Sequence, residues 1–502
     1  MMTAQQPIAA TTQSTRFPEV DRDQTYELLI NGAWTPSLSG ETFRCFDPYD
    51  DLEWGHVPVA GAEDVARAVD AARHAFTTWS VTPALTRSSI LNRWAQLIME
   101  NLETLARLQV HENGKTITEM RGATGSVANS AEYFGHLSLG AVGSTLEPFM
   151  PGHEAWTLRQ PIGVIAAIAP WNNPLGLLGW KLFPALAAGN TIVIKPSEIT
   201  PVSTLFLARL GVEAGIPAGV VNIVTGPGTT GAALVKHPGI DKIAFTGSTA
   251  TGGAIAEIAA RRFLRTTLEL GGKGAQIVFA DADLDAASSS LVTGIVAGTG
   301  QACNAGSRLL VQRAVYNEVI DAVRTKIGQV RIGDPLDPAS IIGPLASRPQ
   351  FEKVTGYLDL ARDEGCELIA GGRAGRDVPG IETGRFVEPT LYATPDERSR
   401  IRREEIFGPV GAVIPFDDED DAIAIANETE YGLVAGLWTK DVSRAHRASR
   451  RLESGVVWIN TWRAFSTNVP FGGMKHSGLG RELGPDALNE YTETKSIWLG
   501  VG

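Results

Sequence analysis

The chain has 502 residues, 43% hydrophobic and 20% charged, with a formal net charge of -12, which suits a globular protein of roughly two to four domains. Acidic and basic residues are interspersed, which argues against nucleic acid or an anionic membrane surface and leaves a small molecule as the expected partner. Cys45, Cys303 and Cys366 are too scattered for a disulfide framework or a CxxC metal site, so no metal is expected and a reducing cytoplasm fits.

The start, MMTAQQPIAATTQSTRFPEVDRDQ, reads as a mobile polar lead-in with no basic-then-apolar signal pattern. ELLINGAW is a strand followed by a turn. AEDVARAVDAARHAFTTW repeats apolar residues at helical spacing, and LTRSSILNRWAQLIMENLETLARLQVHENGK continues as one or two helices. FMPGHEAWTLRQ (149–160) alternates like a hairpin strand. Short Val/Ile-rich runs follow, PIGVIAAIAPW, NTIVIKPSE, GVVNIVTGPG and IDKIAFTGST, separated by helical stretches; this pattern predicts βαβ units on a buried parallel sheet. A second α/β region is expected after LELGGKGAQIVF. The longest apolar runs fall short of the roughly 20 residues that cross a bilayer. NEYTETKSIWLG (489–500) ends the chain as a strand that must pair either with another subunit or within the monomer.

Several strand ends carry chemistry. IAFTGSTATGG runs a strand into Gly247 and Ser248, a turn whose N–H groups suit a phosphate, although a Gly-rich turn without ligand has the same pattern. VIKPSE ends another strand with Lys195 and Glu198, a cation and a carboxylate able to meet a ribose. LELGGKG places Glu269 before two glycines. GQACNAGSR surrounds Cys303 with small residues that leave its sulfur approachable, and a helix beginning there would favour a thiolate. No histidine is near in sequence to form a Cys/His pair. APWNNPL offers the Asn172 amide as an oxyanion donor.

Taken together in collinear order, INGAW, PWNNPL, NTIVIKPSE, GVVNIVTGPG, KIAFTGST, LELGGK, GQACNAGSR, EEIFGPV, VWINT and PFGGMKHSGLGRE resemble the NAD(P)-dependent aldehyde dehydrogenase superfamily, from about Leu29 to Ser496. The resemblance implies an α/β fold with a Rossmann-type cofactor domain, an α/β catalytic domain and a small β oligomerisation arm. The expected boundaries are 22–142 and 161–270 for the NAD-binding domain, 143–160 for an oligomerisation hairpin, 271–482 for the catalytic domain and 483–502 for a C-terminal oligomerisation strand. A homodimer or homotetramer is the family expectation.

The same resemblance implies roles at matching positions. Cys303 would be the nucleophile, Asn172 the oxyanion donor with the Cys303 N–H, Glu269 the base for thioester hydrolysis, and Lys181 a fourth catalytic group. The NAD site would comprise Pro170, Trp171, Lys195, Ser197, Glu198, Gly228, Gly231, Phe245, Gly247, Ser248, Leu270, Gln350, Glu405 and Phe407. Within it, Lys195 and Glu198 would take the adenosine ribose, Ser248 the pyrophosphate, and Glu405 and Phe407 the nicotinamide end. Glu198 favours NAD over NADP by repulsion of a 2′-phosphate, about 4 kcal/mol at roughly 4 Å and an effective dielectric of 20. Glu269 favours hydrolysis over acyl transfer to coenzyme A, which stays the enzymatic alternative; a non-catalytic family member is the other.

Departures from the family pattern concern the substrate tunnel. Asn173 stands where a Phe is common, Gly176 follows on the same helix turn, and Ala297 and Gly298 precede the nucleophile in place of aromatics. With Asn173, Leu177, Trp180, Trp462, Arg463 and Phe465 as the expected lining, the tunnel should be wide and polar. A bulky, ring-bearing or semialdehyde substrate is expected, with a carboxylate meeting Arg463 unless that side chain faces solvent.

Overall fold

The computed structural model describes residues 24–140, 142–394 and 396–501; the expected polar lead-in, over residues 1–23, lies outside them. Four of the Val/Ile-rich runs form parallel neighbours in one sheet: Val221–Ile223, Thr191–Lys195, Val164–Ile168 and Lys242–Thr246, extended by Arg265–Glu269. These strands are buried along nearly their whole length because helices cover both faces, and this is why they read as continuous apolar runs. Alternate residues feed two cores: Ile165, Ala167 and Ile192 face one, Val164, Ala166 and Val193 the other. At one edge ELLINGAW folds as a hairpin, Leu28–Ile30 with Ala33–Thr35, turned by Asn31 and Gly32 at φ 53° and 75°; two successive positive φ values match the twist of a tight hairpin.

The expected helices form as Ala62–Trp79, Ala84–Glu100 and Leu102–Asn113, so the longer helical pattern is two helices. The second sheet takes its first strand, Ala275–Val278, from the run the sequence placed before the second region. It runs parallel with Arg308–Gln312, Val410–Phe416 and Val434–Trp438, and Val456–Ile459 adds a parallel strand at one edge.

The two stray strands find each other within the chain. His153–Pro161 pairs antiparallel with Thr492–Gly500 from Thr492↔Pro161 to Gly500↔His153, with Thr145–Leu146 on the other side. Two segments of the expected 271–482 and 483–502 divisions lie against the first sheet and its core. Gly478–Leu479 returns to the first sheet against Leu268 and Glu269. Leu483, Ala487, Leu488 and Tyr491 are part of the first core, so only the segment from Thr492 is a projecting strand. Their apolar side chains gain more from that core than from an arm in water. The strand ends carrying Ile168, Lys195, Thr246 and Glu269 all open on the same side, the carboxyl edge where parallel α/β sheets bind ligands.

Candidate active site

Cys303 lies on a turn built by backbone strain. Gly298, Thr299 and Gly300 just before it have φ 63°, 57° and 67°. A Cβ at Gly300 would meet Gly408 O at 2.1 Å, and a β-branched Thr at positive φ persists only where its surroundings hold it. Here Thr299 Oγ1 donates to Gly343 O at 3.2 Å and the Gly298 N–H donates to Glu119 Oε1 at 2.7 Å. No helix begins at Cys303: a short 3₁₀ turn, Ala297–Gly300, ends before it and the next element is the strand Arg308–Gln312. The expected help from a helix dipole is therefore lacking. Burial, with Glu269 and Glu405 adding repulsion, pushes the thiol up to about 12, while the Lys115 and Arg463 cations pull the other way.

Two cavities meet at this cysteine. One, of about 470 Å³, is lined by Asn172, Asn173, Leu177, Trp180, Arg463 and Phe465 among others, and includes Cys303. The second, of about 160 Å³, again includes Asn172 and Cys303 and is closed by Trp171, Leu270, Glu405 and Phe407. The Asn172 side-chain amide donates one hydrogen to Gln301 O at 3.0 Å, leaving the other for the cavity. Among the described residues the Cys303 N–H takes no acceptor. Small residues around the sulfur let both cavities reach it.

The first cavity is amphiphilic. Trp180 and Phe471 pack at 5.3 Å and Phe465 and Phe471 at 5.6 Å, forming an aromatic wall. Arg463, at φ 57°, makes no hydrogen bond or ion pair among the described residues. Trp462 departs from expectation. It packs on Trp458 at 4.8 Å and fills the space over Gly274, Gly306 and Gly436, where a Cβ would lie 3.4, 2.8 and 2.7 Å from its ring, and it is absent from the cavity wall. It anchors the backbone that presents Arg463. Asn173 Oδ1 is buried without a partner among the described residues, and a Cβ at Gly176 would lie 2.5 Å from Asn173 Nδ2, so the glycine makes room for that amide.

Glu269 lies behind both cavities, fully buried, and neither carboxylate oxygen has a hydrogen-bond partner among the described residues. Burial, then repulsion from Glu482, holds its carboxyl well above the usual range, with Lys181 and Arg481 partly offsetting. Lys181 stands outside the cavities in a fully buried pair: its Nζ is 2.5 Å from Glu482 Oε1 and donates to Thr246 Oγ1 at 2.5 Å. The pair Gly271–Gly272 explains itself here. A Cβ at Gly271 would lie 2.6 Å from Glu405 Oε2, and the Gly272 N–H donates to Glu405 Oε1 at 2.8 Å.

A third cavity, of about 520 Å³, continues from Pro170 and Trp171 over Gly228, Gly231, Phe245 and Gly247 to Lys195, Ser197 and Glu198. The sequence-derived cofactor residues therefore line one continuous trench, with Leu270, Gln350, Glu405 and Phe407 at its inner end. The fit to a dinucleotide rests on the donor set. Helices Gly228–Lys236 and Thr249–Arg262 both point their N-termini into the trench, and a Cβ at Gly228 would meet no protein atom within 4 Å. Lys195 is buried, 3.2 Å from a half-exposed Glu198, beside apolar walls of Val235, Ile255 and Ile258. Ser248 Oγ is engaged as the helix cap, accepting from the Thr251 N–H at 3.2 Å. The Gln350 amide donates to Phe407 O at 2.7 Å, so it props the loop carrying Phe407, which itself sits at φ 61°.

Three groups escaped the sequence reading. Glu482 ends the PFGGMKHSGLGRE run, where nothing marked it as buried. Lys115, in HENGK, is buried beside Cys303 with its ammonium lowered to about 8 by burial. Lys353 donates to Glu405 O at 3.0 Å. Their roles come from long-range contacts, which no local spacing encodes.

Residues 34–497 match the model of the aldehyde dehydrogenase family. Among solved structures, the NAD-dependent aldehyde dehydrogenase of Sinorhizobium meliloti is 38% identical with TM-score 0.94, covering 97% of each chain. PnpE, solved in complex with nicotinamide adenine dinucleotide, is 42% identical with TM-score 0.92, covering 96% of this chain and 98% of its own. An NAD⁺ complex of aldehyde dehydrogenase from Bacillus cereus is 39% identical with TM-score 0.93, covering 95% and 97%.

Proposed function

Because the chain belongs to the aldehyde dehydrogenase family, we propose that it oxidises a bulky, ring-bearing aldehyde or semialdehyde to the carboxylic acid, with NAD as acceptor, through a thioester on Cys303. The observation that carries this is the position of the Cys303 sulfur in the walls of two cavities at once, with Asn172 in both.

Aldehyde enters the larger cavity, where Trp180, Phe465 and Phe471 offer ring faces. The thiol, neutral at rest, gives its proton to water in the cavity as the sulfur attacks, and Lys115 stabilises the developing sulfur charge. The oxyanion is held by the free hydrogen of the Asn172 amide and the Cys303 N–H. NAD, when bound in the trench, supplies the hydride acceptor. Lys195 and Glu198 would hold its adenosine ribose, the two helix N-termini its pyrophosphate, and Glu405 and Phe407 its nicotinamide end. In the second half a water attacks the thioester carbon, Glu269 takes its proton, the C–S bond breaks and the Cys303 thiolate departs. Lys181 keeps Glu482 in place next to Glu269.

The first sheet, apart from its hairpin edge, forms the proposed cofactor domain, and the second sheet the catalytic domain. Thr492–Gly500 is an edge strand that exposes Trp498 and Leu499, which supports a homo-oligomer joined through this arm. Free thiols at all three cysteines suit the cytoplasm. Among the described residues no helix is long and apolar enough to cross a membrane, and no cluster of ligating side chains could hold a metal.

The test is NADH formation with aliphatic, aromatic and carboxylate-bearing aldehydes, without coenzyme A. Turnover that requires the thiol cofactor defeats the hydrolytic reading; full activity in Cys303→Ala defeats the mechanism.

A further inference from the structure

A separate cavity of about 540 Å³ lies beyond the adenosine end of the trench, with Glu198 in the walls of both. Arg44, Arg348 and Arg385 bring three cations to it, and Asp51 is the other carboxylate in its wall. Asp51 is shared, ion-paired with both Arg348 and Arg385. Arg44 and Glu198 are balanced by Glu53 at 3.1 Å and Lys195 at 3.2 Å, neither of which lines the cavity. Two guanidiniums against one carboxylate leave one positive charge in excess. Arg385 is the more deeply placed of the two. Its side chain is 8% exposed, and Nε and Nη1 are buried without partners among the described residues. Burial lowers its guanidinium from the ordinary value, and Asp51 offsets that only in part. A buried cation with unused donors is costly, and a further acceptor beside it relieves the cost.

The backbone fixes this arrangement. Arg385 O accepts from the Leu345 N–H at 2.8 Å, which sets Arg385 beside the start of the helix Arg348–Asp363. Gly384, at φ 90°, lies so close to the turn carrying Asp51 that a Cβ would be 2.6 Å from Tyr49 O. Asp51 itself sits at φ 60°, which Asp tolerates better than most residues, and its N–H donates to Asp47 O at 2.8 Å. The helix is capped by Ser347 and has no acidic residue in its first turn. Its Arg348 N–H takes no acceptor among the described residues. Ser347, Arg348 and Pro349 line the cavity, so the positive end of the helix borders it, a position that favours an anion.

We propose that this cavity binds a phosphate-type oxyanion, held by Arg348 and Arg385 at the N-terminus of the helix Arg348–Asp363. Planar guanidiniums match the paired oxygens of such a group, and a tetrahedral dianion has acceptors left for the Arg348 N–H. The site stands apart from Cys303 and involves no aldehyde. Two sources present the same chemistry: free phosphate, and the 2′-phosphate of an adenine dinucleotide reaching past Glu198.

The test is calorimetric titration of inorganic phosphate into protein saturated with NAD, which already occupies the helix N-termini of the trench, with chloride holding the ionic strength. One phosphate per chain should bind. Arg348→Gln and Arg385→Met should each weaken it by about tenfold or more, the scale of a lost charge-assisted contact. Melting temperature separates a folding defect, and should Arg385→Met not fold, the largely exposed Arg348→Gln carries the test. Repeating the titration with NADP identifies the source. Phosphate that binds the NAD-saturated but not the NADP-saturated protein, with kcat/KM for NADP alone lowered in Arg348→Gln, assigns the site to the 2′-phosphate. Equal binding to both assigns it to free phosphate. No heat from the NAD-saturated parent, or an affinity left unchanged in Arg348→Gln, overturns the site.

Discussion

Gly272 and Cys303 are in backbone contact: a Cβ on Gly272 would lie 2.3 Å from the Cys303 carbonyl oxygen. The strand end after Glu269 thus fixes where the nucleophile turn can sit, and it does so only because residue 272 has no side chain. Gly272→Ala should push the turn outward by a good fraction of an ångström. A displacement of that size at a reacting atom costs about 100-fold in kcat. Rapid-quench measurement of acylation checks this, and an unchanged rate in a folded variant would show that the turn is not held from this side.

Asn172→Ala removes one of two proposed oxyanion donors while leaving the Cys303 N–H. A loss of about 100- to 1,000-fold in kcat is expected, with KM little altered, because the donor acts on charge that develops only during attack. A rise confined to KM would place the amide in ground-state binding instead.

Glu269→Gln should accumulate acyl-enzyme, giving one turnover and then a stall. It should also change the pH dependence of stability. Burial holds the Glu269 carboxyl well above its ordinary range, so the folded protein binds this proton more tightly than the unfolded chain does. That contribution is fully present below the unfolded pKa and is lost as pH rises toward the folded one. Glutamine keeps the neutral shape throughout. The variant should therefore gain melting temperature relative to the parent at pH 8 more than at pH 5; an equal shift at both pH values would mean the carboxyl is ionised in the fold across that range.

Much of this architecture was legible in the sequence because buried parallel strands leave unbroken Val/Ile runs and their ends carry glycine and charge. Lys195, Glu198, Gly247 and Ser248 were found at strand ends by that rule, and they do line one trench. What failed was anything decided by distance along the chain. Glu482 and Lys181 pair across 301 positions, and Leu483 through Tyr491 join the first core from the far end of the chain. Trp462 shows the same limit on a small scale. Its neighbourhood in sequence suggested a tunnel wall, but three glycines open a slot behind it, and an indole gains more by filling that slot than by facing water.

Glu198→Gln should raise kcat/KM for NADP. Glu198 is half exposed, so water screens much of the roughly 4 kcal/mol repulsion that a fixed dielectric gives. A gain of about tenfold for NADP, with NAD changed by less than about threefold, is the expected outcome of parallel kinetics. Equal changes for both acceptors would remove this carboxylate from cofactor discrimination.

Arg463 offers the sharpest test of substrate class. Its backbone is held at φ 57° between the anchored Trp462 ring and Ala464, whose carbonyl accepts from Trp458 Nε1 at 2.9 Å. The guanidinium borders the Cys303 cavity with no carboxylate against it among the described residues, while Glu119 supplies the negative charge beside Lys115. A cation so placed on a cavity wall favours an anionic substrate and disfavours a cationic one, although the aromatic wall alone would accept either. Arg463→Gln should lower kcat/KM for a carboxylate-bearing semialdehyde by about 10- to 100-fold, the cost of a lost charge-assisted pair. A neutral aldehyde of the same length should change by less than about threefold, leaving selectivity between the two nearly abolished. If both substrates fall together, Arg463 acts on the Cys303 sulfur instead, and the carboxylate must be recognised elsewhere.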